Sequence, residues 1–220
     1  MERISFKEND ISQKPALELL QKLGYQYLSP EEALMMRGGK TSNVLLEEVL
    51  RRQLRELNSI RVGSRKEERF SDQNIENGVT AMRNVPMEGG YLSGNEAVYN
   101  MLTLGKAFEQ SIDGDKKTYT MRYIDWEHPE NNVYHVTEEF AVTRTGIADT
   151  YRPDIVLFVN DIPLVLIECK RPDIKGAEEQ AISQHLRNQQ DDGIRGLYVY
   201  SALLLAIGNN FGSYATTGSA

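Results

Sequence analysis

Hydrophobic positions recur at helical spacing through the first hundred residues and give way to strand-like runs from about Tyr119 onward. In ISQKPALELLQKLGY, residues Ala16, Leu19, Leu20 and Leu23 share one helical face, and NVLLEEVLRRQLRELN repeats the pattern with Leu46, Val49, Leu50, Leu54 and Leu57. Gly24 closes the first helix, and Asn58 with Ser59 lies just after the second. SDQNIENGVTAMRN predicts a third helix with Ser71 as N-cap, and SGNEAVYNMLTLG a fourth between an N-cap at Ser93 and a stop at Gly105. The segments KTYTMRYIDW and NVYHVTEEFAVTR are rich in β-branched and aromatic residues, which suit strands. RPDIVLFVNDIPLVLIECKRP then carries two apolar runs around Asn160 and Asp161, the pattern of a β-hairpin buried on both faces. AEEQAISQHLRNQQ, after Gly176, predicts a helix of about three turns that ends by Asp191, Asp192 and Gly193, and LLLAIG is a further strand or helix. The expected fold class is α/β, a mixed sheet flanked by helices, with a helical portion over residues 1–110 and a core over 111–220, either packed as two parts or continuous.

The hairpin carries the informative chemistry. Asp154 opens its first strand, while Glu168 and Lys170 end the second with one residue between them. An antiparallel hairpin brings those two ends together, and side chains alternate along a strand, so Glu168 and Lys170 share a face while Cys169 points into the core. Parity sharpens the expectation. A plain two-residue turn at Asn160 and Asp161 pairs Val159 with Ile162 and therefore Asp154 with Ile167, leaving Glu168 on the wrong face. Pairing Asp154 with Glu168 demands an odd loop, most simply Asn160 to Ile162, or else a bulge within a strand. Two juxtaposed carboxylates suit Mg²⁺, which polarises a phosphoryl oxygen and activates a water. Lys170 then positions or helps deprotonate that water, or offsets charge in the transition state. The competing reading is a pair of surface strand ends. It is disfavoured because these charges interrupt or terminate otherwise continuous apolar strands, which calls for compensation by a metal or a partner's charge.

Composition narrows the remaining classes. The chain has 220 residues, a formal charge of −7, a single cysteine and three histidines. One cysteine excludes an intramolecular disulfide framework and a Cys-based zinc cluster, and His128, His135 and His185 are too scattered for a His-rich site, so a metal must sit on carboxylates. The acidic balance argues against a uniformly basic nucleic-acid binder while leaving room for a local cationic groove. The amino terminus MERISFKEND carries charge where a signal peptide needs an apolar core, and no run of eighteen apolar residues exists, which points to a cytoplasmic protein without a membrane span. No G-x-x-x-x-G-K-[ST] phosphate loop is present.

The stretch Arg152-Pro153-Asp154-IVLFVN…PLVLIECKRP resembles the motif of PD-(D/E)xK nucleases as it occurs in the amino-terminal domain of the R subunit of type I restriction enzymes. ISQKPALELLQKLGYQYL and the terminal YATTGSA also look like that subunit. The resemblance implies a restriction-endonuclease-like fold and Mg²⁺-dependent cleavage of double-stranded DNA. It implies that Asp154 and Glu168 bind the metal and that Lys170 completes the phosphodiesterase site. It further implies a longer subunit with ATP-dependent motor domains, working with methyltransferase and specificity subunits; ATP would act only through those domains, which this chain lacks. RecB-like members add a Gln-x-x-x-Tyr motif on the helix after the catalytic strand. Gln184 matches and is carried over as a site-edge residue, whereas Asn188 stands where the tyrosine is expected. Some relatives place an acid on the first helix, for which Gln13 and Glu18 are the nearest positions.

Smaller expectations surround this core. Arg152, Arg171, Lys175 and Arg187 are candidate phosphate contacts, with solvation or pairing to a neighbouring acid as the competing reading. Trp126, Tyr119, Tyr123 and Tyr134 are candidate base-stacking residues, but at strand spacing they read better as packing. The three histidines read as ordinary surface or half-buried groups. Arg51, Arg52 and Arg55 form a basic ridge that Glu47, Glu48 and Glu56 largely neutralise. No recognition helix or zinc module is evident, in keeping with cleavage away from a recognition site. Two other functions compete: a RecB-like DNA repair nuclease sharing the same three residues, and a non-catalytic docking module whose site has decayed.

Overall fold

A computed structural model describes residues 12–63, 66–171 and 173–219. The amino-terminal segment tested above for a signal peptide, Pro172 of the CKRP block and Ala220 of the terminal stretch lie outside them. In chain order the elements are α1 (Lys14–Lys22), β1 (Gln26–Leu28), α2 (Pro30–Met36), α3 (Glu47–Leu57), β2 (Ser59–Val62), β3 (Lys66–Arg69), α4 (Asp72–Arg83) and α5 (Tyr91–Leu104). There follow β4 (Lys106–Ile112), β5 (Asp115–Met121), β6 (Tyr134–Glu138), β7 (Val142–Thr143), β8 (Thr150–Tyr151), β9 (Ile155–Val159) and β10 (Ile162–Cys169). The chain closes with α6 (Ala177–Asn188), α7 (Arg195–Tyr198), β11 (Leu203–Gly208) and β12 (Phe211–Ala215). The α/β class and the mixed sheet flanked by helices are as expected. LLLAIG resolves as a strand.

Six strands form the main sheet in the order β1-β6-β9-β10-β11-β12. β1 runs parallel to β6 and β10 parallel to β11, while the other neighbours are antiparallel. The first hundred residues therefore contribute strands as well as helices: β1 extends the sheet edge, and β2 with β3 makes a separate hairpin. β9 and β10 occupy the centre and are buried on both faces, which is why their sequences are nearly continuous apolar runs. One face, through Val156, Phe158 and Leu166, meets the main core with Leu50, Leu54, Val79 and Leu197. The other, through Ile155, Leu157, Ile167 and Cys169, meets Leu17 of α1. Leu50 and Leu54 are fully buried on α3, each contributing about 2 kcal/mol through removal from water.

Several helix ends follow local chemistry, and one expected cap does not form. Ser71 caps α4 by accepting the Asn74 N–H, and Gly105 closes α5 at φ 77°. Ser29 starts α2 with a capping box to Glu32, a short helix that the hydrophobic pattern did not reveal because only Ala33 is buried on it. Ser93 is not an N-cap: α5 begins two residues earlier, with Gly90 at φ 92° turning the chain into it. On α1 the buried face is Leu17 with Ala16 and Leu20 beside it, while Leu19 and Leu23 are exposed. No described helix is long and apolar enough to cross a membrane.

Candidate active site

The turn of the β9–β10 hairpin has two residues, Asn160 and Asp161, with φ of 49° and 63°. Those left-handed values are what a tight hairpin turn of matching twist requires, and Asn and Asp tolerate them. Ile162 pairs with Val159 and Pro163 with Phe158, after which Val165, not Leu164, pairs with Leu157. Leu164 is the extra residue of a β-bulge, and its carbonyl is taken instead by the Ala202 N–H at 2.9 Å. The bulge shifts the register by one, so that Ile167 pairs with Ile155 and Glu168 comes beside Asp154. Of the two irregularities that parity allows, the strand bulge is the one present.

Asp154 Oδ2 accepts the Cys169 main-chain N–H at 2.7 Å, which holds its carboxylate against the end of β10. Lys170 Nζ lies 3.9 Å from the same oxygen and donates to the Cys169 carbonyl at 3.1 Å. Cys169 points to the opposite face and is fully buried. Glu168 is 0% exposed, and neither of its carboxylate oxygens has a hydrogen-bond partner among the described residues. Burial, and then the neighbouring Asp154 charge, push its pKa well above the ordinary carboxylate range against the opposing pull of Lys170. A buried carboxylate without a donor is costly, so this side chain awaits a cation or a proton.

Gln184 of α6 lines an open cavity of about 540 Å³ together with Lys170, Ser183 and Arg187. Ala181 and Asn188 on the same helix are fully buried and Gln184 is half-buried. Gln13, just ahead of α1, donates to Glu138 Oε2 at 2.9 Å and to the Asp154 carbonyl at 3.2 Å. It braces the strand end from behind, while Glu18 is exposed. A neighbour that the sequence reading passed over is Glu139. Its N–H bonds the Asp154 carbonyl at 3.0 Å, its φ is 48°, and burial followed by the Asp154 charge raises its carboxyl pKa. The only signal in the sequence was a paired acid at the end of an aromatic strand.

The flanking cations divide. Arg152 and Lys175 are exposed, and Arg171 pairs with Asp173 at 3.2 Å. Two of the aromatic residues serve packing: Tyr123 is fully buried with its hydroxyl on the Gly78 carbonyl, and Tyr119 packs against the core, whereas Trp126 is exposed. Tyr134 pairs with Val159, at the far end of β9 from Asp154. The Trp126 indole N–H donates to the Leu102 carbonyl. Two histidines are not the surface groups expected. His135 is buried with Nδ1 2.6 Å from Asp161 Oδ1, and His185 is buried between the Tyr198 hydroxyl and the Leu205 carbonyl, both at 2.9 Å. On the basic ridge, Arg51 pairs with Glu48 and Glu76, and Arg55 with Asp72.

Among the described residues no three His, Cys, Asp or Glu side chains form a metal cluster. Two carboxylates nonetheless suit Mg²⁺, which keeps several waters and takes one or two carboxylates along with substrate phosphates. The unpartnered Glu168 oxygens beside Asp154 provide that donor set.

The chain matches the family described as type I restriction enzyme R protein N terminus over residues 5–218. It is 28% identical over 202 residues to the type I restriction enzyme HindI endonuclease subunit of Haemophilus influenzae, covering 90% of this chain and 18% of that protein. Two putative type I restriction enzyme endonuclease subunits of Methanocaldococcus jannaschii are also similar. MjaIXP is 32% identical over 108 residues, 49% of this chain and 10% of the relative. MjaVIIIP is 27% identical over 189 residues, 84% and 16% respectively. The chain thus spans less than a fifth of the length of each of these relatives. With a match that runs over nearly its whole length, the chain belongs to the family of type I restriction enzyme R protein amino-terminal domains.

Proposed function

We propose that this chain is the nuclease domain of a type I restriction endonuclease subunit and hydrolyses phosphodiester bonds of double-stranded DNA with Mg²⁺. The observation that carries the reading is the buried Glu168 carboxylate, without a donor among the described residues, beside Asp154, with Lys170 3.9 Å from Asp154 and lining an open cavity. Asp154 and Glu168 would hold the ion, which when bound supplies Lewis-acid polarisation of the scissile phosphate and a more acidic water. The protein's own part is separate. The Cys169 N–H fixes the Asp154 carboxylate, the β-bulge sets Glu168 beside it, and Lys170 supplies a positive charge where anionic charge builds on the phosphate. Gln184 sits at the rim of the cavity, where it can orient a water or a phosphate oxygen. The HindI subunit, named as an endonuclease subunit, supports this reading. In the full subunit, ATP-driven motor domains would move the DNA, alongside methyltransferase and specificity subunits.

The test is Mn²⁺ titration in a calorimeter with the unaltered chain, Asp154→Asn and Glu168→Gln. Binding by the unaltered chain that both substitutions abolish is the expected result. Binding indifferent to both, or no binding with or without duplex DNA, overturns the nuclease reading in favour of a docking module built on the same fold.

A further inference from the structure

Tyr151 enters from β8, where it pairs with Val142 of β7, and stands three residues ahead of Asp154. Two guanidinium groups lie over its ring: the central carbon of Arg144 is 4.3 Å from the ring centre and that of Arg187 is 4.4 Å. The two arginines differ in what else holds them. Arg144 is committed, with Nε donating to the Asp192 carbonyl at 3.0 Å, an ion pair to the Asp192 carboxylate, and Asp149 at 3.7 Å. Its half-buried position ties the loop after β7 to the loop after α6, where the Thr145 N–H also bonds the Gly193 carbonyl. Arg187 is exposed, touches Asn188 Oδ1 at 3.3 Å, and has no carboxylate partner among the described residues. It reaches the same cavity as Lys170 and Gln184.

An exposed arginine usually samples many rotamers and must give up that freedom to bind an anion. Stacking on an aromatic face removes part of that loss beforehand and leaves the planar N–H fork open for two parallel bonds to phosphate oxygens. In a chain of net charge −7, a cation held by a ring rather than by an ion pair, and felt by the buried Glu168, matters more beside the site than the overall balance, although Glu179 lines the same cavity.

From this geometry, and resting on the nuclease reading, we infer that Tyr151 is a positioning residue: it holds the Arg187 guanidinium at the rim of the Lys170 cavity to grip a backbone phosphate of the bound DNA strand. Arg144 completes the support by fastening the β7–β8 loop, which leads into Tyr151, to the loop after α6. The clamp recognises the phosphodiester backbone and carries no sequence preference.

The experiment is fluorescence anisotropy of a labelled duplex in Ca²⁺ across a range of salt concentrations. It compares the unaltered chain with Arg187→Gln, Tyr151→Leu, Tyr151→Phe and the Arg187→Gln/Tyr151→Leu double variant, with a melting curve for each. Arg187→Gln and Tyr151→Leu should each weaken binding about tenfold and lower the salt slope by about one ion. The double variant should be no weaker than Arg187→Gln alone, and Tyr151→Phe should restore binding because it keeps the ring. A Tyr151→Leu chain that loses affinity through misfolding would show it in the melt and would lose binding additively with Arg187→Gln, which overturns the clamp. Unchanged affinity and salt slope in folded Tyr151→Leu also overturn it while leaving the nuclease reading standing. No DNA binding by the unaltered chain, together with no Mn²⁺ heat, overturns both.

Discussion

The hairpin formed by β9 and β10 buries polar groups at both of its ends, and the two ends treat them differently. At the turn, the fully buried Asn160 side chain makes three bonds of 2.8 Å: its oxygen accepts the Val133 N–H, and its amide donates to the Tyr123 carbonyl and to Asn132 Oδ1. Asp161 beside it pairs one oxygen with His135, and its raised pKa, driven first by burial, is held back by that histidine. At the open end, Asp154 is tied to the Cys169 N–H, but no donor among the described residues reaches either Glu168 oxygen, which faces only the neighbouring Asp154 carboxylate and the charges of Lys170 and Arg187. The turn is satisfied by the protein itself except at Asp161 Oδ2, which is the one oxygen there without a partner among the described residues, whereas Glu168 lacks a donor on both of its oxygens. A polar group buried without partners raises the energy of the folded chain until something from outside arrives. That contrast separates the structural end of the hairpin from its chemical end.

Breaking the structural end should have the largest effect. Asn160→Ala removes three buried hydrogen bonds and puts alanine at a left-handed φ, and should cost about 4 kcal/mol of stability in urea unfolding. If the loss is under about 1 kcal/mol, the turn network is not what holds the hairpin.

The chemical end should respond with the opposite sign. Because Glu168 has a raised folded pKa, the native chain binds more protons than the unfolded one between the ordinary value of 4.5 and that raised value, so its stability falls as pH rises through this window. Glu168→Gln removes that dependence and should gain about 2 kcal/mol at pH 8 while abolishing the Mn²⁺ heat. A destabilised Glu168→Gln chain would contradict the picture of an uncompensated carboxylate.

His185 sharpens the comparison by a smaller amount. Its Nε2 faces the Leu205 carbonyl and so carries the proton, leaving Nδ1 to accept from the Tyr198 hydroxyl. Burial lowers its pKa from 6.5. The unfolded chain therefore binds more protons just below that value, and stability falls on acidification through it. In melting curves between pH 7.5 and 5.5, where Glu168 acts in the opposite direction in both chains, the unaltered chain should lose about 1 kcal/mol relative to His185→Gln. Equal changes in both would place the titrating group elsewhere.

Much of this was determined along the chain alone. The continuous apolar runs IVLFV and PLVLIEC specify a central hairpin, Asn160 and Asp161 mark where it turns but not the length of the turn, and Ser71 and Gly105 mark real helix ends. The positions of Asp154, Glu168 and Lys170 at the strand ends, and the need for one irregularity to bring the two acids together, follow from side-chain alternation, which is a property of neighbouring residues. Which irregularity was used did not. The bulge at Leu164 exists because its carbonyl meets Ala202, thirty-eight positions away in sequence. The same holds for Leu17 in place of Leu19 and Leu23 as the buried face of α1, for the burial of His135 and His185, and for the meeting of Arg187 with Tyr151. Periodicity and caps are short-range and can be read from a few residues, whereas the partner of a polar side chain and the phase of a helix are settled by segments that only folding brings together.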